Sequence, residues 1–322
     1  MTWLARILPR GVVELLLRRG VQAFVIVFVA TSAVFFLANG IGDQAIATLG
    51  PNASAERLAD FRHAHGLDRP ILEQYGTFIG KLAVGDLGES LRDGQSVSTV
   101  IGYRLPRTML LMGITLLFEL VIGLGFGIVA ALRRNTWIDT TFMGAAFLGI
   151  SVPSFVSGPI FMMVFAFRLG WFPIGGYGVT FVDHLYHALL PALSMAIIGS
   201  ATFARIMRSE MLETLNADYV RTARAKGLGP WRVVLGHAAR NALLPIVTLL
   251  GLRIPFLVTG AIITESIFNW PGMGRLVIEA IRALDVPIIM GTVVITAIAV
   301  QLGNIVADVA VAALDPRVRL AH

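Results

Sequence analysis

Six runs of apolar residues, each near the length that crosses a lipid bilayer as a helix, constrain this chain more than any single motif does. They fall at residues 21–37, 108–132, 142–167, 189–207, 242–263 and 288–314, and a bilayer core takes roughly 20 apolar residues per helix. Within a bilayer every backbone amide and carbonyl must find its partner inside its own segment, so such runs fold as helices. The expected class is therefore an all-α polytopic membrane protein with six transmembrane helices. With 56% of its 322 residues hydrophobic and 14% charged, the chain is too apolar for a soluble domain of this size. It contains no cysteine, which excludes disulfides, thiolate zinc sites, iron–sulfur ligation and cysteine nucleophiles within the chain.

A net charge of +6 could suggest nucleic acid, but the basic residues sit beside the apolar runs and no separate soluble basic domain exists. Their placement orients the chain. With the N-terminus inside, the inner segments hold fifteen basic residues against six acidic ones, whereas residues 39–104 hold six basic and eight acidic. Cytoplasmic segments carry the excess of arginine and lysine, so both termini are expected in the cytoplasm. Arg6, Arg10, Arg18 and Arg19 precede the first run as they would in a signal peptide. No small-x-small cleavage site follows, so the run reads as an uncleaved anchor. The organisation expected is one membrane domain over 21–314, flanked by a cytoplasmic segment, 1–20, and a cytoplasmic tail, 315–322. It would carry an extracytoplasmic loop at 39–105 and a cytoplasmic interlude at 208–241.

The outer loop reads as structured. Ser54 can cap a helix with Glu56 in its first turn and Gly66 can end it. After Pro70, the residues Ile71, Leu72, Tyr75, Phe78, Ile79 and Leu82 recur at helical spacing until Gly85. These helices would lie on the membrane surface, against the outer ends of the spans, or as a soluble cap.

The interlude is the most informative stretch. Residues 218–241 read as a short helix, a glycine break and a second helix: Asn216 or Asp218 can cap the first, Gly227 suits the left-handed residue that ends it, and Gly229 with Pro230 restarts the chain. Arg221, Arg224 and Lys226 crowd this helix, while Tyr219, Val220, Ala223 and Leu228 offer an apolar side. So short a helix is unstable alone in water and needs a surface to rest on. Connections between packed helices usually run about 2–8 residues, so one of this length reads as a docking surface; the plainer alternative is a loop that is basic only because inside loops are.

The residues themselves narrow the choice. Asp218-Tyr219-Val220-Arg221-Thr222-Ala223-Arg224-Ala225-Lys226-Gly227-Leu228, followed by His237-Ala238 and Arg240-Asn241-Ala242-Leu243-Leu244-Pro245, closely resembles the coupling loop of the B-type permease subunit of bacterial dipeptide and oligopeptide ABC importers. Gly66-Leu67-Asp68-Arg69-Pro70, Gly85-Asp86-Leu87-Gly88-Glu89-Ser90, Gly149-Ile150-Ser151-Val152-Pro153-Ser154-Phe155, Asn269-Trp270-Pro271-Gly272-Met273-Gly274 and the tail Leu314-Asp315-Pro316-Arg317-Val318-Arg319 resemble the same family. One departure is Asn39-Gly40-Ile41-Gly42-Asp43, where the family often has Pro-Gly-Asp-Pro after the first span. The resemblance implies one of two permease subunits in an ATP-driven peptide importer of the inner membrane. Its implied partners are a homologous second permease, two ABC ATPase subunits, an extracytoplasmic substrate-binding protein and the peptide. Asp218, Tyr219, Arg221, Thr222, Ala223, Arg224, Ala225, Lys226 and Gly227 would form the helix that enters a groove on the ATPase. The same scaffold serves nickel chelates, glutathione or haem, so the cargo stays open.

The chain's own chemistry is sparse. A phosphate loop needs Gly-x-x-x-x-Gly-Lys followed by Ser or Thr, and Gly80-Lys81 continues into Leu82, so ATP and magnesium would be bound by the partner ATPases and no cofactor by this chain. Gly123, Gly125 and Gly127 look like a dinucleotide loop but lie in an apolar run with no strand before them; small residues at 123 and 127 instead allow close helix packing. The pairs His63/His65 and His184/His187 lack the three or four converging ligands of a metal site. Arg253 falls deep in the fifth run and Glu119 near the middle of the second. Charges there face a bundle interior or a wet cavity and seek each other. Two readings stand: Arg253 lines the translocation path and meets the passenger, or Arg253 and Glu119 form a pair that fixes helix packing. Asp308 matches an acidic position of the family and reads as a packing or headgroup-level contact. A secondary transporter would need ion-relay carboxylates and broken helices at mid-membrane, for which Glu119 alone is thin support, and an intramembrane enzyme would need a nucleophile and base at one depth.

Overall fold

The structure is a computed structural model and describes residues 10–40 and 42–314; Arg6 and the tail 315–322, with most of the motif that begins at Leu314, lie outside them. The described residues are helical apart from turns and one isolated antiparallel bridge between Glu89 and Ser96. In chain order the helices are α1 (Arg10–Gly40), α2 (Gln44–Leu49), α3 (Ala55–His65), α4 (Ile71–Ala83), α5 (Val97–Leu132), α6 (Trp137–Ser151) and α7 (Ser154–Phe161). There follow α8 (Phe181–Leu215), α9 (Asp218–Ala225), α10 (Pro230–Val233), α11 (Arg240–Ala242), α12 (Leu244–Ile267), α13 (Met273–Ala283) and α14 (Val286–Leu314). Leu17–Gly40, Val97–Leu132, Phe181–Leu215 and Val286–Val309 are each long and apolar enough to cross a membrane; two bent helix pairs bring the number to as many as six.

The run at 142–167 is not one straight span. Trp137–Ser151 and Phe155–Arg168 meet at 112°. The cause is local: a proline disfavours helical conformation in the residue before it, and Val152, which precedes Pro153, is extended at φ −98°, ψ 112°. Pro159 then sits inside α7, and the backbone widens into a π turn over Met162–Arg168. Two long helices also overrun their apolar windows. α8 continues to Leu215, so the first residues of the interlude are helical, and α5 already begins at Val97. Polar residues that fit helical geometry extend a helix without extending its hydropathy signal.

Contacts gather the chain into two units, one containing Met109–Trp270 and the other Arg18–Thr108 and Pro271–Gln301. In the second unit, α4 lies against α1. Ser32 and Tyr75 share a hydrogen bond of 2.6 Å, and Phe35 stacks on Phe78 at 5.4 Å between centroids. Of the three placements open to the loop helices, α4 therefore takes the one against a span. α3 has its cap on Ser54, which accepts from the Arg57 amide, and ends at Gly66 with φ +66°. In the turn that departs from the family pattern, Asp43 caps α2 by accepting from the Ala45 and Ile46 amides and bridges to Arg62 at 2.5 Å. The Arg62 bond holds the Asp43 carboxyl below the usual carboxylate range. A carboxylate with a lowered folded value loses its stabilising effect only as pH falls through that value, so this corner stays closed at neutral pH. At its other side, the unit ties the Gly85–Ser90 signature to the α13–α14 turn, where Leu284 has φ +49° and Asp285 accepts from the Ser90 hydroxyl at 2.5 Å.

The first unit is built on α8. Small residues of α5 face it: a Cβ on Gly123 would lie 2.6 Å from Phe203 Cβ, and one on Gly127 would lie 2.6 Å from Met207 Cβ and 2.7 Å from the Ala204 carbonyl oxygen. Gly125 has nothing within 4 Å. The 123/127 spacing thus makes the close helix seam expected of it, while the middle glycine faces outward.

Candidate functional site

The interlude forms a basic helix seated on the end of α8. Val220 and Ala223 on α9 are buried in one cluster with Phe203, Met207 and Met211 of α8, Val233 and Val234 downstream and Ile246 of α12. Asp218, Tyr219, Arg221, Thr222, Arg224, Ala225, Lys226 and Gly227 are exposed. One side of a two-turn helix is therefore fixed to the spans, and the other presents three cations and a tyrosine. Tyr219 is 42% exposed and so belongs to the free face and not to the expected apolar side, whose other members, Val220, Ala223 and Leu228, do join the buried cluster.

The ends of α9 follow from local chemistry. Neither residue expected to cap its start does so. Ala217 is the N-cap, without a side-chain bond, and Asp218 is already the first helical residue. Asn216 serves the preceding helix, its side-chain amide donating to the Leu212 carbonyl at 2.8 Å. The C-terminal end matches expectation. Gly227 has φ +77°, its N–H donates to Arg224 O at 2.9 Å, and the Leu228 N–H donates to Ala223 O at 3.3 Å. This double bond pattern is a Schellman closure, and Leu228 packs onto the same buried cluster. Gly229 then caps the next helix with Pro230 at its first position. From Pro230 to Ala242 that helix contains a π turn at Val234–Ala239 and bends by 45° into α12.

The second feature is a buried charge pair. Arg253 Nε donates to Glu119 Oε2 at 3.1 Å and Nη2 donates to Oε1, joining α12 to α5. The Glu119 side chain is 0% exposed and that of Arg253 16%. Gly199 of α8 lies against them, and a Cβ there would overlap the Glu119 carboxylate. Three helices meet at this one bidentate contact.

A third contact was not singled out from sequence. Asp139, in the first turn of α6, accepts from Arg208 Nε and Nη2 of α8, both at 2.6 Å, and from the Asn135 amide at 3.0 Å. An acid and an arginine just outside the apolar windows at 142 and 207 were the available signal, but nothing in sequence alone pairs them. The histidines, by contrast, have local partners: His184 and His187 turn Nδ1 to the carbonyls of Tyr177 and Asp183, His65 to that of Phe61, and His63 to the Asp68 carboxylate.

Known proteins match the chain along most of its length. Residues 123–320 match the family described as binding-protein-dependent transport system inner membrane component, and residues 12–112 match the N-terminal membrane component of the same systems. A protein of Brucella suis biovar 1 (strain 1330), whose name places it among peptide permeases, is 44% identical over 287 residues, 87% of this chain and 90% of that one. The oligopeptide transport system permease protein AppB of Bacillus subtilis (strain 168) is 40% identical over 283 residues, 86% of this chain and 90% of its own. The glutathione transport system permease protein GsiC of Escherichia coli O6:H1 is 36% identical over 293 residues, 91% and 94% of the two chains. Apolar helices long enough to span a membrane, a basic helix anchored on them and matches along nearly the whole chain lead to one conclusion: the chain belongs to the binding-protein-dependent transport system inner membrane components, as a multi-pass membrane subunit of an ABC importer.

Proposed function

We propose that this chain forms half of a translocation path for di- or oligopeptides, and that α9 couples it to a cytosolic ATPase. The observation that carries the reading is the division of α9 into a buried side and a free basic side. A helix held by Val220, Ala223 and the Gly227 turn transmits force to α8 and does not swivel. Arg221, Arg224 and Lys226 supply charge complementarity, which sets specificity and encounter rate more than affinity. The partners are a second permease, two ATPase subunits that bind ATP and magnesium, and an extracytoplasmic binding protein that delivers the cargo. The chain itself contributes no catalytic residue; hydrolysis belongs to the subunit with the phosphate loop. Both termini and α9 face the cytoplasm, in keeping with the arginine placement.

ATP-driven closure of the ATPase pair would push α9, and the spans would turn from inward-open to outward-open. Gly227→Val tests this. A left-handed residue with a Cβ costs about 1–2 kcal/mol, and β-branching makes that conformation rarer still. The variant is expected to keep basal ATP hydrolysis while uptake in proteoliposomes of the whole complex falls by about tenfold. Unchanged uptake per ATP would count against the lever. The peptide cargo is supported by the names of the Bacillus and Brucella relatives, and glutathione, itself a tripeptide, by the Escherichia one. Mass spectrometry of the ligand carried by the cognate binding protein decides between them.

Glu119 and Arg253 stand in the wall of the proposed path. Both guanidinium contacts to a fully buried carboxylate support a brace between α5 and α12 over a direct contact with the passenger.

A further inference from the structure

We propose that Asp139 and Arg208 form a clamp that carries the movement of α9 into the α5–α6 hairpin, so that these two residues position the spans for coupling. The inference rests on the lever reading of α9. Arg208 sits where three helices meet. Its backbone nitrogen would lie 3.1 Å from a Cβ on Gly127, placing it directly against α5. Its side chain crosses to α6 and grips Asp139 with two bonds of 2.6 Å. Its neighbours Met207 and Met211 are in the cluster that seats Val220 and Ala223 of α9. Arg208 thus lies on the stretch of α8 that bears the coupling helix. Force reaching α8 there has two outlets, the glycine seam to α5 and the charge clamp to α6.

Asp139 is suited to this as no neutral residue is. Its two carboxylate oxygens accept from three donors at once: Arg208 Nε, Arg208 Nη2 and the backbone amide of Asn135. Asn135 itself has φ +61°, so the turn between α5 and α6 is held in a conformation that L-residues seldom adopt. The carboxylate therefore fixes the turn and the arginine together. The Asp139 side chain is 7% exposed and that of Arg208 26%, so the carboxylate is shielded from solvent while the arginine keeps an open edge, and the bridge is screened less than a fully exposed one. An asparagine at 139 keeps the size but turns an amide donor toward a donor on one side, because it has a single acceptor oxygen.

The test uses the complete complex in liposomes with its binding protein, reading basal ATP hydrolysis and its stimulation by added binding protein. Stimulation must pass from the outer face through the spans to the ATPase, and coupling between sites is reciprocal. Asp139→Asn is expected to copurify with its partners and keep basal hydrolysis, while stimulation falls about fivefold or more. Arg208→Lys, which retains the charge but not the two-pronged geometry, should fall in the same direction, and the exchanged pair Asp139→Arg with Arg208→Asp should recover part of the stimulation. Normal stimulation in both single variants overturns the clamp. So does a loss of stimulation in strict proportion to loss of assembled complex, since that is what a purely structural contact gives. Gly227→Val run alongside separates the two claims. If it stays coupled, the lever falls; if it uncouples while Asp139→Asn does not, the clamp alone falls.

Discussion

Replacing Glu119 with alanine should destabilise the assembled protein by about 3–5 kcal/mol, the usual cost of leaving one partner of a buried ion pair alone. Arg253 would keep its charge inside the helix bundle with its two bonds to Glu119 gone, and an arginine within an apolar span is itself unfavourable by roughly 2.5–3.5 kcal/mol on insertion scales. Thermal unfolding of the complex in detergent measures this directly. Removing both charges, as in Glu119→Leu with Arg253→Leu, should recover most of the loss, because apolar replacements of buried pairs are often neutral or better. The double variant also separates the two roles open to Arg253. Wild-type uptake in it means that the pair only braces α5 and α12. Restored stability with uptake still absent means that Arg253 touches the passenger, and the brace reading would have to be abandoned.

The seam between α5 and α8 should respond even more sharply. A valine at Gly127 would drive its Cβ into the Met207 Cβ at 2.6 Å and the Ala204 carbonyl at 2.7 Å. Neither of these is the movable end of a long side chain, so the helices must separate. Close contact through small residues is the main source of attraction between helices in lipid, where no hydrophobic effect acts between them. Loss of assembled complex is the expected result for Gly127→Val, followed by copurification of the ATPase subunits. Gly125→Ala is the matching control, for nothing lies within 4 Å of its position. Alanine favours a helix over glycine by about 1 kcal/mol, so that variant should be assembled at wild-type level or better. Equal tolerance at 125 and 127 would mean that α5 and α8 do not pack through this face.

What was legible in the sequence followed from effects that act over a few residues. Apolar windows located the spans, Ser54 and Gly66 located the ends of α3, and Gly227 with Gly229-Pro230 located the break in the interlude. Each depends on a conformational preference of the residue in question. The Val152-Pro153 step carried a comparable local signal for the 112° bend, and hydropathy alone ran across it because it averages over the break. The starting cap of α9 shows competition between neighbours: Asn216 can serve either helix, and the one it ends takes it. Tyr219 shows the limit of reading an apolar side from a helix of two turns, where a shift of one residue exchanges the buried register. Glu119 and Arg253 could be matched by depth because charges in lipid are few. Asp139 and Arg208 could not, because acids and arginines near the ends of spans are common and their pairing depends on how α6 and α8 cross.

In the coupling proposed for α9, this chain moves cargo only with work delivered from outside itself. Its most direct test is accumulation of a radiolabelled tripeptide in liposomes holding either the purified chain alone or the complete complex with binding protein and ATP. Accumulation against a gradient is expected in the complete complex alone, and only while ATP is present. Concentrative uptake by the isolated chain, without companion subunits or nucleotide, would contradict the account.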